Sequence, residues 1–219
     1  MIRMLSTSLA IAALAALGGY ALTANAPSLP PIGAAQAQTA EAELPEIEAM
    51  TLGDPNAPVA LTEYASFTCG HCANFHDDVF KKLKADYIDT GKVHFTYKEI
   101  YWDRYALWAG MVARCGGDTR FFGLVELIYD RQREWIKAGE AADVAGELRT
   151  IGRTAGMSDD TLDACMQDAA TAQALVEWSE EQAAEYDIDS TPSLVIDGEK
   201  YSNMSYDKLT EILDAKLAD

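Results

Sequence analysis

Positive charge is scarce in this chain. Its 219 residues carry 17 Lys and Arg against 35 Asp and Glu, a formal net charge of −18. Such a surface repels the phosphates of nucleic acid and the headgroups of anionic membranes, so no nucleic-acid partner is expected. A solvated acidic surface keeps a protein soluble and needs no specific partner. There is no Gly-rich loop of the kind that cradles phosphates and no internal repeat. Cysteine is limited to four, and no second Cys-x-x-Cys accompanies the one at Cys69-Gly70-His71-Cys72, so the set for a zinc site is incomplete. No metal and no cofactor is expected.

Charge is also missing near the N-terminus. No charged residue stands between Arg3 and Glu41, and residues 9–22 (LAIAALAALGGYAL) form an apolar run of the length of a secretory h-region. Residues 1–37 therefore read as a signal peptide. Ala35-Gln36-Ala37 is the better small-x-small cleavage pattern, because a cut after Ala24-Asn25-Ala26 would leave Pro27 just beyond it. The preferred site lies far from the apolar run, and the uncharged stretch 4–23 is about long enough to span a bilayer, so an uncleaved N-terminal anchor is the alternative. Both versions put the folded part outside the cytoplasm. About 180 residues remain, enough for one domain with its own core.

Four cysteines in an exported chain favour disulfides over free thiols. Cys69 and Cys72 are close enough to pair within one helical turn, and such a pair opens and closes a disulfide without any bound cofactor. Cys115 and Cys165 stand far apart on separate predicted helices. The first pair reads as reactive and the second as structural.

Residues 38–51, rich in Ala and Glu with one Pro, read as a tether, with order beginning near Leu52. Residues 53–58 (GDPNAP) are turn material. Val59, Leu61, Glu63, Ala65 and Phe67 then share one face of a strand, so Glu63 points with the apolar set. A carboxylate there is either paired or has its pKa raised by desolvation. Cys72, Phe75, Val79, Phe80, Leu83 and Tyr87 recur at helical spacing, which puts Cys69 at a helix N-terminus, and residues 93–99 (VHFTYKE) alternate as a second strand. From 104 to 187 the pattern is helical throughout, with Ser158 as one cap. The strand signal returns at 193–196, followed by an Asp197-Gly198 hairpin and a last helix capped by Ser205.

A Cys-x-x-Cys at a strand-to-helix turn, a helical insertion, and Thr191-Pro192 just before a strand together resemble the DsbA-like branch of the thioredoxin superfamily. Residues 52–59 (LGDPNAPV) resemble that branch's entry sequence, and residues 63–69 (EYASFTC) resemble its strand into the active site. The resemblance implies an α/β thioredoxin fold with an inserted all-helical domain, its thioredoxin-like parts at 52–103 and 188–219 and its insertion at 104–187. It implies a periplasmic thiol:disulfide oxidoreductase that donates a Cys69–Cys72 disulfide to unfolded or reduced exported proteins through a mixed disulfide. A membrane or periplasmic redox partner would reset the site. Pro192 is expected in the cis form, facing the sulfurs. Glu63 resembles the family's buried acid and Lys98 the lysine paired with it. Some alphaproteobacterial members look similar in having a second disulfide like Cys115–Cys165, which would staple the helical domain or tune the active site.

Gly70-His71 between the cysteines is similar to protein disulfide isomerase, whereas the best-known periplasmic oxidases carry Pro-His. An isomerase or reductase is therefore the alternative enzyme. A thiol-bearing chaperone or binding module is the alternative of another class.

The residues suggest how the chemistry would run. The helix dipole and His71 favour a Cys69 thiolate, with Cys72 as the resolving thiol. Glu63 would shuttle protons to Cys72 or form a structural ion pair with Lys98. Thr191 and Pro192 would offer backbone to an extended substrate. His76 reads as a helix-surface residue or, alternatively, a proton shuttle. Tyr64, Tyr97, Tyr101, Trp102, Tyr105 and Trp108 read as packing, with one or two available to line a groove.

Overall fold

The structure is a computed structural model that describes residues 44–218. The signal or anchor segment, residues 1–37, lies outside the described residues.

Five strands form one mixed sheet in the order β1-β3-β2-β4-β5: β1 Met50–Leu52, β2 Val59–Ala65, β3 Val93–Glu99, β4 Ser193–Ile196 and β5 Glu199–Ser202. β2 and β3 run parallel, with Leu61 opposite Phe95 and Glu63 opposite Tyr97. The other pairings are antiparallel. β2 is central, and Val59, Leu61, Ala65 and Phe67 are buried as their alternation requires. A helical stretch over 70–88 crosses from β2 to β3. It begins as α-helix, Gly70–Phe75, and contains two π-helical segments, His76–Phe80 and Lys84–Ile88. Asp197 (φ 48°) and Gly198 (φ 83°) form the β4–β5 turn in the left-handed region that a tight hairpin needs.

Two expectations are corrected here. The tether read over 38–51 does not reach residue 51 as unpaired chain: Met50–Leu52 pairs antiparallel with β3, Met50 opposite Tyr97 and Leu52 opposite Phe95. Its composition carries no strand signal. The outer edge of β3 supplies the hydrogen-bonding partners, and a short strand covers that edge. Gly53 follows at φ 89°, so close to the sheet that a Cβ would meet Val93 O at 2.6 Å. His76 is not on the surface. It is 4% exposed, stacked on Phe80, 4.8 Å between ring centres, and tilted against Tyr129, 5.4 Å. Four residues past Cys72 it falls on the same inner face. Burial, helped by nearby Lys81, lowers its pKa to about 4 and keeps it neutral at pH 7.

Six helices lie between β3 and β4: Arg104–Cys115, Asp118–Asp130, Gln132–Ile136, Ala141–Thr154, Asp159–Met166 and Ala169–Glu185. Their starts are chemically marked. Asp103 accepts from the N–H of Tyr105 and Ala106, Ser158 from Thr161, and Asp168 from Thr171. Cys115 and Cys165 form a disulfide that links the first of these helices to the fifth across 50 residues of chain. Replacing both by Ala is expected to lower stability by roughly 2–4 kcal/mol, the upper end being the loop-closure entropy of a ring this size, read as a lower urea midpoint.

At the C-terminal end of β3, Glu99 is fully buried and held by Arg114 through two charge-assisted bonds of 2.7 and 2.8 Å. Arg114 also donates to Glu48 O at 3.0 Å. One ion pair thus ties the segment before β1, β3 and the first inserted helix together. A buried carboxylate is tolerated where a cation of this quality faces it.

Candidate active site

β2 ends in the turn Ser66-Phe67-Thr68-Cys69, which delivers Cys69 to the start of the helix. Cys69 N donates to Ser66 O at 3.1 Å, and Ala73 N donates to Cys69 O at 3.3 Å as the first helical bond. Cys69 occupies the N-cap position, φ −78° and ψ 116°. Its sulfur therefore lies where helical N–H groups are unsatisfied and the dipole is positive. Cys72, one turn on, is buried, whereas Cys69 is partly exposed.

From the other side comes the loop before β4. Because β4 pairs antiparallel with β2, Ser193 opposite Tyr64, the residues just before it meet the end of β2. The Thr191–Pro192 peptide bond is cis, and Cys69 Sγ donates to Thr191 O at 3.2 Å. Ser193 Oγ donates to Ser190 O at 2.8 Å and fixes this loop.

The two thiols are displaced in opposite directions. The neighbouring Cys72 thiol first, then Thr191 and the backbone at the start of the helix, lower the Cys69 pKa to about 5, against the opposing effect of burial. Burial pushes the Cys72 thiol far up, and its hydrogen bond to Cys69 and the charge of Glu63 push the same way. The His71 side chain is exposed, and the effect of this residue on Cys69 comes through its backbone.

Glu63 is 2% exposed. Burial, and secondarily the nearby Cys69 charge, raises its pKa to about 8. The expected pairing with Lys98 does not occur. Lys98 is opposite Tyr64, not Glu63, and its Nζ reaches Glu185 Oε2 at 3.3 Å and Tyr64 Oη at 3.4 Å on the other face of the sheet. The reason is the two-residue period of a strand: in a parallel pair in this register, Glu63 and Tyr97 share one face, Tyr64 and Lys98 the opposite one. Glu63 is thus a buried acid with no cation against it among the described residues.

Several residues of the site were invisible as sequence. Gln132 Nε2 donates to Phe67 O at 2.8 Å and to Cys69 O at 2.9 Å. Asp103, besides capping its helix, accepts from Thr68 Oγ1 at 2.6 Å. Beneath the dithiol the hydroxyls of Tyr97 and Tyr129 bond each other at 2.7 Å, and Tyr129 donates to Ser66 O at 3.3 Å. Of these, only Asp103 carried a local signal, as an Asp just before a helix. Among the aromatics, Tyr64 and Tyr97 are core, Tyr101 donates to Glu99, and Trp102, 55% exposed, is left on the surface.

A thiol at a helix N-cap position opposed by a cis X-Pro peptide, on a sheet of this order, defines a thioredoxin-fold dithiol protein. The chain belongs to the thioredoxin family, whose model matches residues 46–215, and within that family it is DsbA-like. The structure of alpha-DsbA1 from Wolbachia pipientis superposes with a TM-score of 0.71 at 25% identity, covering 80% of this chain and 94% of that one. That of a protein-disulfide isomerase from Novosphingobium aromaticivorans gives 0.71 at 25%, covering 78% and 98%. A Rickettsia typhi protein, provisionally named a protein-disulfide oxidoreductase, is 30% identical over 171 residues, 78% of this chain. The chain spans about three fifths, 62%, of the length of that relative.

Proposed function

We propose that the chain is a thiol:disulfide oxidoreductase of the cell envelope, whose oxidised Cys69–Cys72 pair passes to reduced, exported polypeptides through a mixed disulfide on Cys69. The observation that carries this reading is a pair of unbonded thiols one turn apart, Cys69 accessible at a helix N-cap beside the cis Thr191–Pro192 peptide and Cys72 buried, an arrangement that lowers the first pKa to about 5 and pushes the second far above its ordinary value. At pH 7 the reduced protein then holds Cys69 almost entirely as thiolate. A pKa about two units below ambient pH shifts a two-electron couple by about 60 mV in favour of the reduced form. The oxidised form therefore gives its disulfide away.

The steps follow from access and charge. A substrate thiolate attacks Cys69 Sγ, the exposed sulfur, and the Cys69–Cys72 bond breaks with its electron pair on Cys72. A thiolate is poorly tolerated at that buried position, and Glu63, protonated at pH 7, supplies the proton. A second substrate thiolate then attacks the substrate sulfur of the mixed disulfide, and Cys69 leaves as the stabilised anion. Two substrate thiols are oxidised to one disulfide, and the enzyme disulfide is reduced to two thiols.

Backbone at Thr191 and Pro192, beside Cys69, is the surface on which an extended substrate strand would pair, a mode nearly blind to side chains and suited to unfolded polypeptides. Electrons leave to a membrane or periplasmic redox partner. The apolar run at 9–22 supports an envelope location. A second reading, isomerase or reductase, is favoured by Gly70-His71 and by the name of the Novosphingobium relative.

Two titrations test the proposal. Thiolate absorbance of the reduced protein is expected to rise with a midpoint near pH 5, and equilibration against glutathione buffers is expected to give an oxidising couple. A strongly reducing couple, with Cys69 titrating like free cysteine, would end the oxidase assignment. A thermal measurement gives an independent expectation. A thiol with a depressed pKa in the folded state contributes stability that is full above its unfolded pKa and is lost as pH falls through the folded value. The reduced protein should therefore melt above the oxidised one at pH 7, with the gap closing towards pH 5.

A further inference from the structure

We propose that Gln132, a residue of the helical insertion, is a positioning residue that holds the Cys69 turn in the shape needed for thiolate stabilisation. The inference rests on the exchange function proposed above and adds a part of the fold that controls it.

Gln132 is 5% exposed and sits on the short helix Gln132–Ile136. An amide nitrogen has two hydrogens, and both are in use: one on Phe67 O, the other on Cys69 O. Among the described residues no other donor reaches Phe67 O, and Cys69 O otherwise accepts only the 3.3 Å bond from Ala73 N. The side chain is therefore a bridge across the three residues at which strand becomes helix. Trp135, fully buried on the same short helix, donates its indole N–H to Ile128 O at 2.9 Å and secures the bridge from behind.

The Cys69 sulfur stands at the N-cap position, beside first-turn N–H groups that have no helical partner, and meets Thr191 O at 3.2 Å across the loop. Those N–H groups face the sulfur only if the Cys69 peptide plane keeps its orientation, and the Cys69 carbonyl that Gln132 grips belongs to that plane. Gln132 touches no sulfur. It acts by preventing rotation of the turn, and without it a buried carbonyl would lose its partner and the turn would relax to recover one.

Gln132→Met keeps the length and removes both donors. The thiolate midpoint of Cys69 is expected to rise by about one pH unit, and the glutathione equilibrium at pH 7 to move nearly tenfold towards the oxidised protein. Trp135→Phe, which removes the indole donor and leaves the amide bridge, should lower the melting temperature while the midpoint stays in place. If Gln132→Met melts lower yet titrates like the parent, or if Trp135→Phe moves the midpoint as far, Gln132 is only structural and the proposal is overturned. Gln132→Asn, with an amide too short to reach both carbonyls, gives the same reading should the Met variant not fold: an intermediate midpoint supports the bridge, the parental one overturns it. The unmutated protein is titrated first. A parent resembling free cysteine overturns the proposed function as well, whereas a low parental midpoint that survives Gln132→Met overturns only the role of Gln132.

Discussion

Cys69→Ser loses disulfide transfer by a factor on the order of 10⁴ or more, measured as the rate at which a reduced two-cysteine peptide is oxidised. Cys69 is the only one of the four sulfurs that is both accessible and ionised at neutral pH: Cys72 is buried with a raised pKa, and Cys115 and Cys165 are bonded to each other. Removing it leaves no sulfur for a substrate thiolate to reach. Cys72→Ala gives a different failure. Without Cys72 no internal disulfide forms, so Cys69 acts as the attacking thiolate: offered a disulfide-bonded peptide, it attacks one sulfur, the other leaves as thiolate, and the mixed disulfide that Cys72 would resolve accumulates as a mass gain equal to the partner. The same substitution removes the strongest of the bonds that stabilise the Cys69 anion, so its midpoint should rise from about 5. A parent that oxidises the peptide no faster than buffer, with a function that Cys69→Ser leaves intact, would favour a chaperone or binding module in which the motif is incidental.

Glu63→Gln is expected to stabilise the protein at neutral pH while slowing its chemistry. The carboxyl titrates at about 8 in the folded chain against an ordinary value of 4.5. Between those values the folded state keeps a proton that the unfolded state has released, so stability falls as pH rises through this window and is flat above it. The loss amounts to about 3 kcal/mol at pH 7 and about 5 kcal/mol above pH 8. Gln carries no such proton. The variant should therefore gain about 3 kcal/mol at pH 7 and nothing near pH 4.5, read from urea unfolding at both values. In exchange, the step that protonates Cys72 should slow by about 10²-fold, the contribution expected of a positioned general acid. Equal urea midpoints at pH 7 would mean that Glu63 does not carry a raised pKa. Glu99 makes the comparison within the same molecule: equally buried, it faces Arg114 at 2.7 Å, and replacing it would remove a satisfied pair instead of a strained acid.

Much of the frame was legible because it depends on short-range chemistry. Alternation over 59–65 and 93–99, helical spacing from Cys72 to Tyr87, the Asp197-Gly198 hairpin and the caps at Ser158 and Ser205 each need only a few neighbouring residues to be decided. The same local logic placed Cys69 at a helix start. It failed where a partner lay far away in the chain. Met50–Leu52 has no strand composition and became a strand because β3 offered an edge. Lys98 was assigned to Glu63 by resemblance, and the register put it on the opposite face. Gln132–Ile136 is too short for any periodicity, yet it carries the side chain that grips the Cys69 turn.

The amino-acid order alone therefore determined the dithiol, its place at a strand-to-helix junction, the strand–helix–strand unit and the helical block that follows. Tertiary structure decided what surrounds the dithiol: the Thr191 carbonyl against Cys69, the amide of Gln132 on the turn that carries it, the paired hydroxyls of Tyr97 and Tyr129, and a Glu63 left without a cation. Backbone conformation follows from contacts along a few residues, whereas the field at a buried atom is the sum over whatever the packed sheet and helices bring within a few ångströms of it.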